Sequence, residues 1–412
     1  MFRDRINKLT NYNIIIIGGG AAGFFAAINA AEMDPEAKIL ILERGKEVLT
    51  KVRISGGGRC NVTHAEFNPG ELTKNYPRGG KELRGPFHSF MTGDTISWFE
   101  ERGIDLKIEE DGRMFPVSDS SETIINCFLN EANRLGVQIL KNHSVQHIKK
   151  IDDHYKISTN NGDFSAEKIL VATGSNPKIW SLLENLGHSI EPAVPSLFTF
   201  NIKDERIKAL PGISTFASVK IIGMNLEDEG PLLITHWGMS GPAVLKLSAW
   251  GARELNEADY KFQISVNWLP NQTSEGILKQ LKDLKLAHGK QQTSKYAQFE
   301  LPKRLWQSLV KASGIEETAI WADLNKDQLK NLSLQLTEAV FKVNGKSTFK
   351  EEFVTAGGIN LKEVNFKTFE SKLHKNLFFA GEVLNIDAIT GGFNFQNAWT
   401  SGYLAARAMS SF

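Results

Sequence analysis

An α/β fold opening on a nucleotide-binding βαβ unit is predicted by three observations. Residues 13–17 read Asn-Ile-Ile-Ile-Ile, an uncharged β-branched run suited to a strand buried on both faces. That run passes straight into Gly18-Gly19-Gly20-Ala21-Ala22-Gly23, a G-x-G-x-x-G turn at the start of an apolar helical stretch. A second apolar strand, residues 39–42, ends on Glu43, twenty residues beyond Gly23.

Each position in this unit has a physical duty. Gly18 makes the tight turn, Gly20 lets the backbone approach a pyrophosphate, and Gly23 lets helix and strand pack closely. Glu43 accepts hydrogen bonds from a ribose, and phosphate sits on the exposed N–H groups at the helix start. Gly18, Gly20, Ala22, Gly23, Glu43 and Arg44 are therefore the binding candidates here. The competing reading is a targeting or membrane segment, because residues 14–31 are uncharged and Arg3, Arg5 and Lys8 precede them. Three consecutive glycines at the centre of that stretch argue against insertion and for a strand-to-helix turn.

A chain of 412 residues holds two or three domains, and 41% hydrophobic content is ample for a packed core. The net charge of +1, with no long single-sign run, gives no expectation of a nucleic-acid or membrane partner. A small-molecule substrate is expected. Cys60 and Cys127 lie 67 positions apart and form neither a disulfide framework nor a metal set, which suits a reducing cytoplasm. No metal is expected: His143 and His147 fall in a predicted strand, where that spacing makes no tight pair.

Strand and helix alternate to about Gly136. Residues 143–151, 155–159 and 163–169 then read as an antiparallel meander joined at Asp152-Asp153 and Asn160-Asn161-Gly162. A buried strand at 168–171 follows, ending in Ala172-Thr173-Gly174, small residues that let backbone pass close to a cofactor. Residues 1–190 form the first part of the nucleotide domain. Residues 191–355 are expected to be an insertion, with strands near 196–202, 218–222, 232–235 and 262–268 making a small barrel. Helices at 275–288, 303–312 and 327–341 would make a helical part spanning about 270–341.

Residues 356–412 return to strand, glycine loop and helix: Asn-Leu-Phe-Phe-Ala at 376–380, then Gly381-Glu382, then Thr390-Gly391-Gly392-Phe393-Asn394. Both ends of the chain would thus build one nucleotide domain, an arrangement suited to FAD. Its adenine end would lie on residues 18–43, and its flavin on later loops. Glu382 can bond a ribityl hydroxyl, and a helix starting near Asn394 aims its positive end at the flavin N1–O2 region. Gly381, Gly391, Gly392 and Phe393 complete that set.

The most specific segment is Ser55-Gly56-Gly57-Gly58-Arg59-Cys60-Asn61, followed by Val62-Thr63. Ser55, Gly56, Gly57, Arg59, Cys60 and Asn61 could lay a row of donors against the cofactor, with Lys51 and Arg59 adding positive charge. Cys60 lacks a nearby second cysteine for disulfide exchange and reads as a packing residue.

Residues 55–61, the Thr235-His236-Trp237-Gly238-Met239-Ser240-Gly241-Pro242 segment, Val354-Thr355-Ala356-Gly357-Gly358-Ile359, Phe379-Ala380-Gly381-Glu382 and residues 390–394 together resemble the YhiN/BaiN-like flavoproteins end to end. That resemblance implies an NAD(P)/FAD-dependent oxidoreductase, aminoacetone oxidases being among the family's members. It also implies a glutathione-reductase-like FAD-binding Rossmann domain interrupted by a β-barrel and a small helical subdomain. One departure stands out. Where the family continues Gly-Glu-x-x-Asp, this chain has Asn385, which keeps an acceptor but loses the charge, and the contact made by that aspartate falls here to Asp387 or to no residue.

Catalysis through a flavin asks little of side chains, and His236 is the candidate substrate-side acid or base. No second G-x-G-x-x-G follows a strand, so NAD(P)H would visit the flavin directly. The leading expectation is an FAD-dependent oxidoreductase of a small organic substrate, transferring hydride through flavin N5 with NAD(P)H as co-substrate. An amine oxidase releasing hydrogen peroxide is the alternative. An FAD-holding RNA-modifying or RNA-binding protein is the third reading, and the balanced charge weighs against it.

Overall fold

The computed structural model describes residues 10–347 and 354–411, so Arg3, Arg5 and Lys8 lie outside the described residues. Among the described residues no helix is long and apolar enough to cross a membrane. The chain divides into two compact units, Met1–Ala193 with Val354–Phe412, and Val194–Phe353.

The first unit is built on a sheet whose centre is five parallel strands: Leu377–Phe379, Gly162–Val171, Thr10–Ile17, Ile39–Leu42 and Gln138–Leu140. Ile14, Ile15, Ile16 and Ile17 are each at most 2% exposed, as a strand covered on both faces requires. In register, Phe379 stands opposite Val171, Val171 opposite Ile17, Ile17 opposite Leu42, and Leu42 opposite Leu140. All five strands therefore end level. The loops that follow them leave from one edge.

Two expectations need correction. Residues 163–169 and 168–171 are not separate strands but one, Gly162–Val171, which pairs antiparallel with His154–Thr159 and parallel with Thr10–Ile17. Ten residues are long enough for it to take a different set of partners at each end. Nor does strand–helix alternation persist to Gly136. After Ile39–Leu42 the chain makes the helices Thr50–Gly58, Pro69–Thr73, Gly80–Phe87 and Thr92–Glu100, and a separate antiparallel sheet of Thr63–His64, Arg113–Pro116 and Leu106–Ile108. Only then does Ser121–Arg134 lead back to the parallel sheet.

The helix Ala21–Met33 packs against the closing helix Phe393–Ser410 through small residues. A Cβ on Gly402 would stand 3.0 Å from the Ala22 carbonyl oxygen, so the two backbones touch only because no side chain intervenes. Beside that contact Phe25 enters an aromatic cluster, its ring centroid 4.7 Å from Trp98, 5.2 Å from Trp399 and 5.5 Å from Phe90.

The second unit carries a seven-stranded antiparallel sheet in the order Ala339–Asn344, Lys261–Asn267, Ser214–Ile221, Leu226–Ile234, Gly238–Ser240, Thr199–Asn201, Lys346–Ser347. Its two edge strands are separated in sequence by Gly345 alone, at φ 104°, and the Asn201 N–H donates to the Gly345 carbonyl at 3.0 Å. The sheet thus curls edge to edge like a barrel. Helices Ser274–Ala287, Lys303–Ala312 and Lys326–Thr337 share one core with it, including Trp268, Trp306, Trp321 and Leu336. The helix expected over 327–341 stops at Thr337, because residues 339–344 alternate buried and exposed and pair with Lys261–Asn267.

Phe25→Ala removes a fully buried ring from the aromatic cluster and should cost about 3–5 kcal/mol in denaturant unfolding. Phe67→Ala, at an exposed site, should stay within about 0.5 kcal/mol of wild type.

Candidate functional site

The level strand ends gather the predicted loops along one edge of the first unit. Gly18, at φ 114°, follows Ile17, and a Cβ there would lie 2.4 Å from the Ala172 carbonyl oxygen at the end of the neighbouring strand. A Cβ on Gly23 would lie 2.0 Å from the Gly18 carbonyl oxygen, whereas one on Gly20 would meet nothing within 4 Å. Two glycines thus permit close packing, and Gly20 leaves a face of backbone open. Ala22 is buried behind the turn. The helix Ala21–Met33 has no side-chain cap, so its first-turn N–H groups are available to an anion. Glu43 is oriented by accepting from the N–H of Gly19 at 2.9 Å and of Gly45 at 2.6 Å, and Arg44 beside it is exposed.

Lys51 and Glu382 meet across the sheet edge at 2.6 Å, with the Glu382 side chain only 17% exposed. The Glu382 charge raises the Lys51 ammonium above its ordinary value, keeping it protonated. A Cβ on Gly174 would come within 3.7 Å of the Glu382 carboxylate, so the loops carrying residues 51, 172–174 and 381–382 converge.

Residues 55–58 break the helix that begins at Thr50. Ser55 turns extended, Gly56, Gly57 and Gly58 take positive φ, and nothing lies within 4 Å of where a Cβ would project from Gly57 or Gly58. The Ser55 hydroxyl donates back to the Val52 carbonyl at 2.9 Å. Arg59 departs from expectation. Its guanidinium lies 3.9 Å above the Phe115 ring and pairs with Glu109 at 2.6 Å and Asp119 at 3.5 Å, so its charge is already compensated. Cys60 is fully buried, and that burial pushes its thiol up to about 12. It is a packing group, not a nucleophile.

Residues 61–64 are stitched to the loop before the closing helix. Asn61 accepts from the Gly392 N–H at 2.9 Å and donates to the Thr63 carbonyl at 3.0 Å. The His64 Nδ1 donates to the Gly391 carbonyl at 3.0 Å, and its ring lies 4.5 Å from that of Phe393. Thr63 donates to Gln396 at 2.6 Å, and the Trp399 indole donates to the Val62 carbonyl at 2.8 Å. A Cβ on Gly392 would lie 2.5 Å from the Thr63 carbonyl oxygen. The closing helix starts at Phe393 without a side-chain cap, so a second helix N-terminus lies uncapped beside these glycines.

Two further expectations change. The Asn394 side chain folds back to accept from the Ala388 N–H at 3.0 Å and donate to the Ala388 carbonyl at 3.2 Å, which spends it on shaping the loop. Asp387, the one residue offered for the missing aspartate's contact, is 0% exposed and held by both ends of the Arg78 guanidinium. It is an internal counter-ion. His236 belongs to the other unit, exposed in the turn between Leu226–Ile234 and Gly238–Ser240, beside Trp237, which is 58% exposed. His64, Arg78 and Trp399 were missed by sequence reasoning, although His64 lies only three residues after Asn61 and shares its segment.

The HI0933-like protein Rossmann domain family matches residues 12–408. The chain belongs to that family. As an HI0933-like protein it is an FAD-dependent oxidoreductase. It is 30% identical to a ribosomal RNA dihydrouridine synthase of Haemophilus influenzae over 96% of this chain and 98% of the relative. It is 28% identical to a 3-dehydro-bile acid delta(4,6)-reductase of Clostridium scindens over 95% of this chain and 98% of that one. Among solved structures, a 3-ketosteroid-delta4-(5alpha)-dehydrogenase of Rhodococcus jostii covers 99% of both chains at TM-score 0.52 and 12% identity. A flavocytochrome c3 fumarate reductase covers 97% of this chain and 78% of its own at TM-score 0.50 and 15% identity. At those identities the likeness is one of fold, and it agrees with the Rossmann architecture read from the first residues of this HI0933-like chain.

Burial is the main cause lowering His64 below its ordinary 6.5. A depressed value in the folded state means its contribution to stability is present above pH 6.5 and is lost as pH falls through that range. His64→Gln keeps a donor to Gly391 without the titration, so its unfolding free energy should fall less steeply than wild type between about pH 6.5 and 5. Cys60 should react with a disulfide reagent at pH 8 at least about a hundredfold more slowly in the folded protein than after unfolding. Rapid labelling of the native chain at that residue would contradict the burial described.

Proposed function

We propose that this protein is an FAD-dependent reductase of a carbon–carbon double bond conjugated to a carbonyl group. The observation that carries the FAD reading is the convergence, along one sheet edge, of open glycine backbone at Gly20, Gly57 and Gly58 with two uncapped helix starts. Those features fit an elongated dinucleotide: donors for its pyrophosphate at one helix, and a positive helix end for an anionic ring at the other. The relatives support the reaction class. A dihydrouridine synthase forms a saturated ring from uracil, and a bile-acid delta(4,6)-reductase saturates double bonds conjugated with a 3-keto group.

FAD, when bound, supplies a hydride donor and acceptor at ring nitrogen N5. The chain's own residues do the rest. The N–H groups that open Ala21–Met33 would hold phosphate, and Glu43, already aimed by Gly19 and Gly45, would offer its remaining lone pairs to a ribose. Glu382, anchored by Lys51, would accept from a ribityl hydroxyl, and the uncapped start of Phe393–Ser410 would offer N–H groups to the flavin. Reduction of a conjugated double bond adds hydride at one carbon and a proton at its neighbour, and the exposed His236 is our candidate proton donor. NAD(P)H is the proposed reductant.

Two forms of substrate meet this chemistry. A free small molecule is the form favoured by the chain's near-neutral charge. A uracil within RNA is the form favoured by the name of two relatives, at 30% and 28% identity.

Anaerobic mixing of the yellow holoprotein with NADPH or NADH should bleach it, and a conjugated enone or a uracil-containing RNA should restore the colour. A colourless protein that FAD cannot restore, or bleaching by amines alone with peroxide formed in air, defeats the proposal. Glu382→Ala should weaken FAD binding by roughly tenfold, the worth of one charge-assisted hydrogen bond. His236→Ala should keep the flavin spectrum and lower kcat by about a hundredfold.

A further inference from the structure

The chain's net charge of +1 conceals a local imbalance. Between residues 271 and 312, in the helical part of the second unit, eight lysines and arginines stand against three acids. Lys285 and Arg304 are engaged with the carbonyls of Leu324 and Ala209. Lys279, Lys282, Lys290 and Lys295 are exposed, and among the described residues none has an acidic partner. Each of the four lies within three residues in sequence of a position lining a cavity of about 290 Å³, formed by Gln280, Asp283, Leu284, Ala287, Gln298 and Phe299. Tyr296, 53% exposed, adds a second aromatic surface two residues before Gln298.

We propose that this cavity takes one unpaired base of a single-stranded RNA, with the surrounding lysines on its phosphates. Phe299 supplies a stacking face, its ring backed by Trp306 at 6.3 Å. Asp283, Gln280 and Gln298 supply the polar groups that read a base edge. A carboxylate only accepts, so Asp283 selects an edge carrying N–H donors, as guanine has in its ring N–H and amino group, over adenine. A bilayer is the poorer fit, because docking on acyl chains would bury three polar side chains without partners. The inference rests on the RNA form of the substrate proposed above, but it concerns a binding surface that is measured apart from reduction.

The test uses the full-length, oxidised, FAD-loaded protein with no nicotinamide present. Fluorescein-labelled single-stranded oligoribonucleotides of about 12 nucleotides, within the range such surfaces track, are compared with and without guanine. Anisotropy should show tighter binding of the guanine-containing strand and a steep salt dependence. The K279A/K282A/K290A/K295A variant should keep its flavin spectrum, bind at least about tenfold more weakly, and lose roughly 2 to 3 from the log–log salt slope. Asp283→Asn should erase the preference for guanine, while Gln298→Ala weakens binding of both strands. Unchanged RNA affinity in the quadruple variant, or displacement of RNA by anionic phospholipid vesicles that bind at the same lysines, overturns the proposal. A protein that binds RNA in this way yet leaves its uracils unreduced refutes RNA as the substrate and leaves the surface standing. One that reduces uracil in RNA with KM unchanged in the quadruple variant removes the surface and leaves the reaction.

Discussion

Five parallel strands end level, and every feature of the candidate site depends on that alignment. Because Phe379, Val171, Ile17, Leu42 and Leu140 stand in one row, the loops after them leave the sheet at the same height. A shift of one strand by two residues would move its loop by about 7 Å, more than the reach of any hydrogen bond described. The row is held by backbone contact at its centre. The Ala172 carbonyl sits so close to Gly18 that any side chain there would collide with it, so the two neighbouring strands can adopt this register only with glycine at that turn. Crevices outside the carboxyl ends of parallel strands are where such folds bind ligands, and the helix N-termini add an oriented field to the same place.

Much of this was legible in the sequence because it is written in backbone chemistry. Glycines at 18 and 23 and a four-isoleucine strand are local signals with fixed meanings, and they take up the tight turn, close packing and burial they predict. The return of the chain's end to the same sheet was also readable, since Leu377–Phe379 and the helix after Gly392 repeat the strand–loop–helix order. Side-chain assignments fared less evenly, and the reason is competition. Arg59 was expected to serve an anion, but Glu109 and Asp119 arrive from a sheet whose position no local pattern announces. Of the two readings for the missing aspartate's contact, Asp387 or no residue, the sequence could not choose, because Asp387 is held by Arg78, 309 positions away. Long-range partners of this kind leave no trace in spacing.

The second unit was harder to read for another reason. Its short strands alternate well enough to be recognised, yet the helix assigned over 327–341 ran past Thr337 into a strand. Leucine-rich helical spacing and alternating Ala339–Asn344 lie back to back with no glycine or proline between them, so nothing marks the boundary. Net charge is similarly blind to locality: the near-neutral total contains a lysine-rich segment, because an average over 412 residues weights every surface equally.

The parallel sheet draws one of its inner strands from the last tenth of the chain, and the helix that follows covers Ala21–Met33. During synthesis, then, the amino-terminal half must wait. Its first helix keeps an uncovered alanine-rich flank until Phe393–Ser410 leaves the ribosome, whereas Val194–Phe353, contiguous and with a core of its own, is free to finish earlier. Birth order and assembly order are inverted, and the portion made first is the one most in need of a chaperone's shelter.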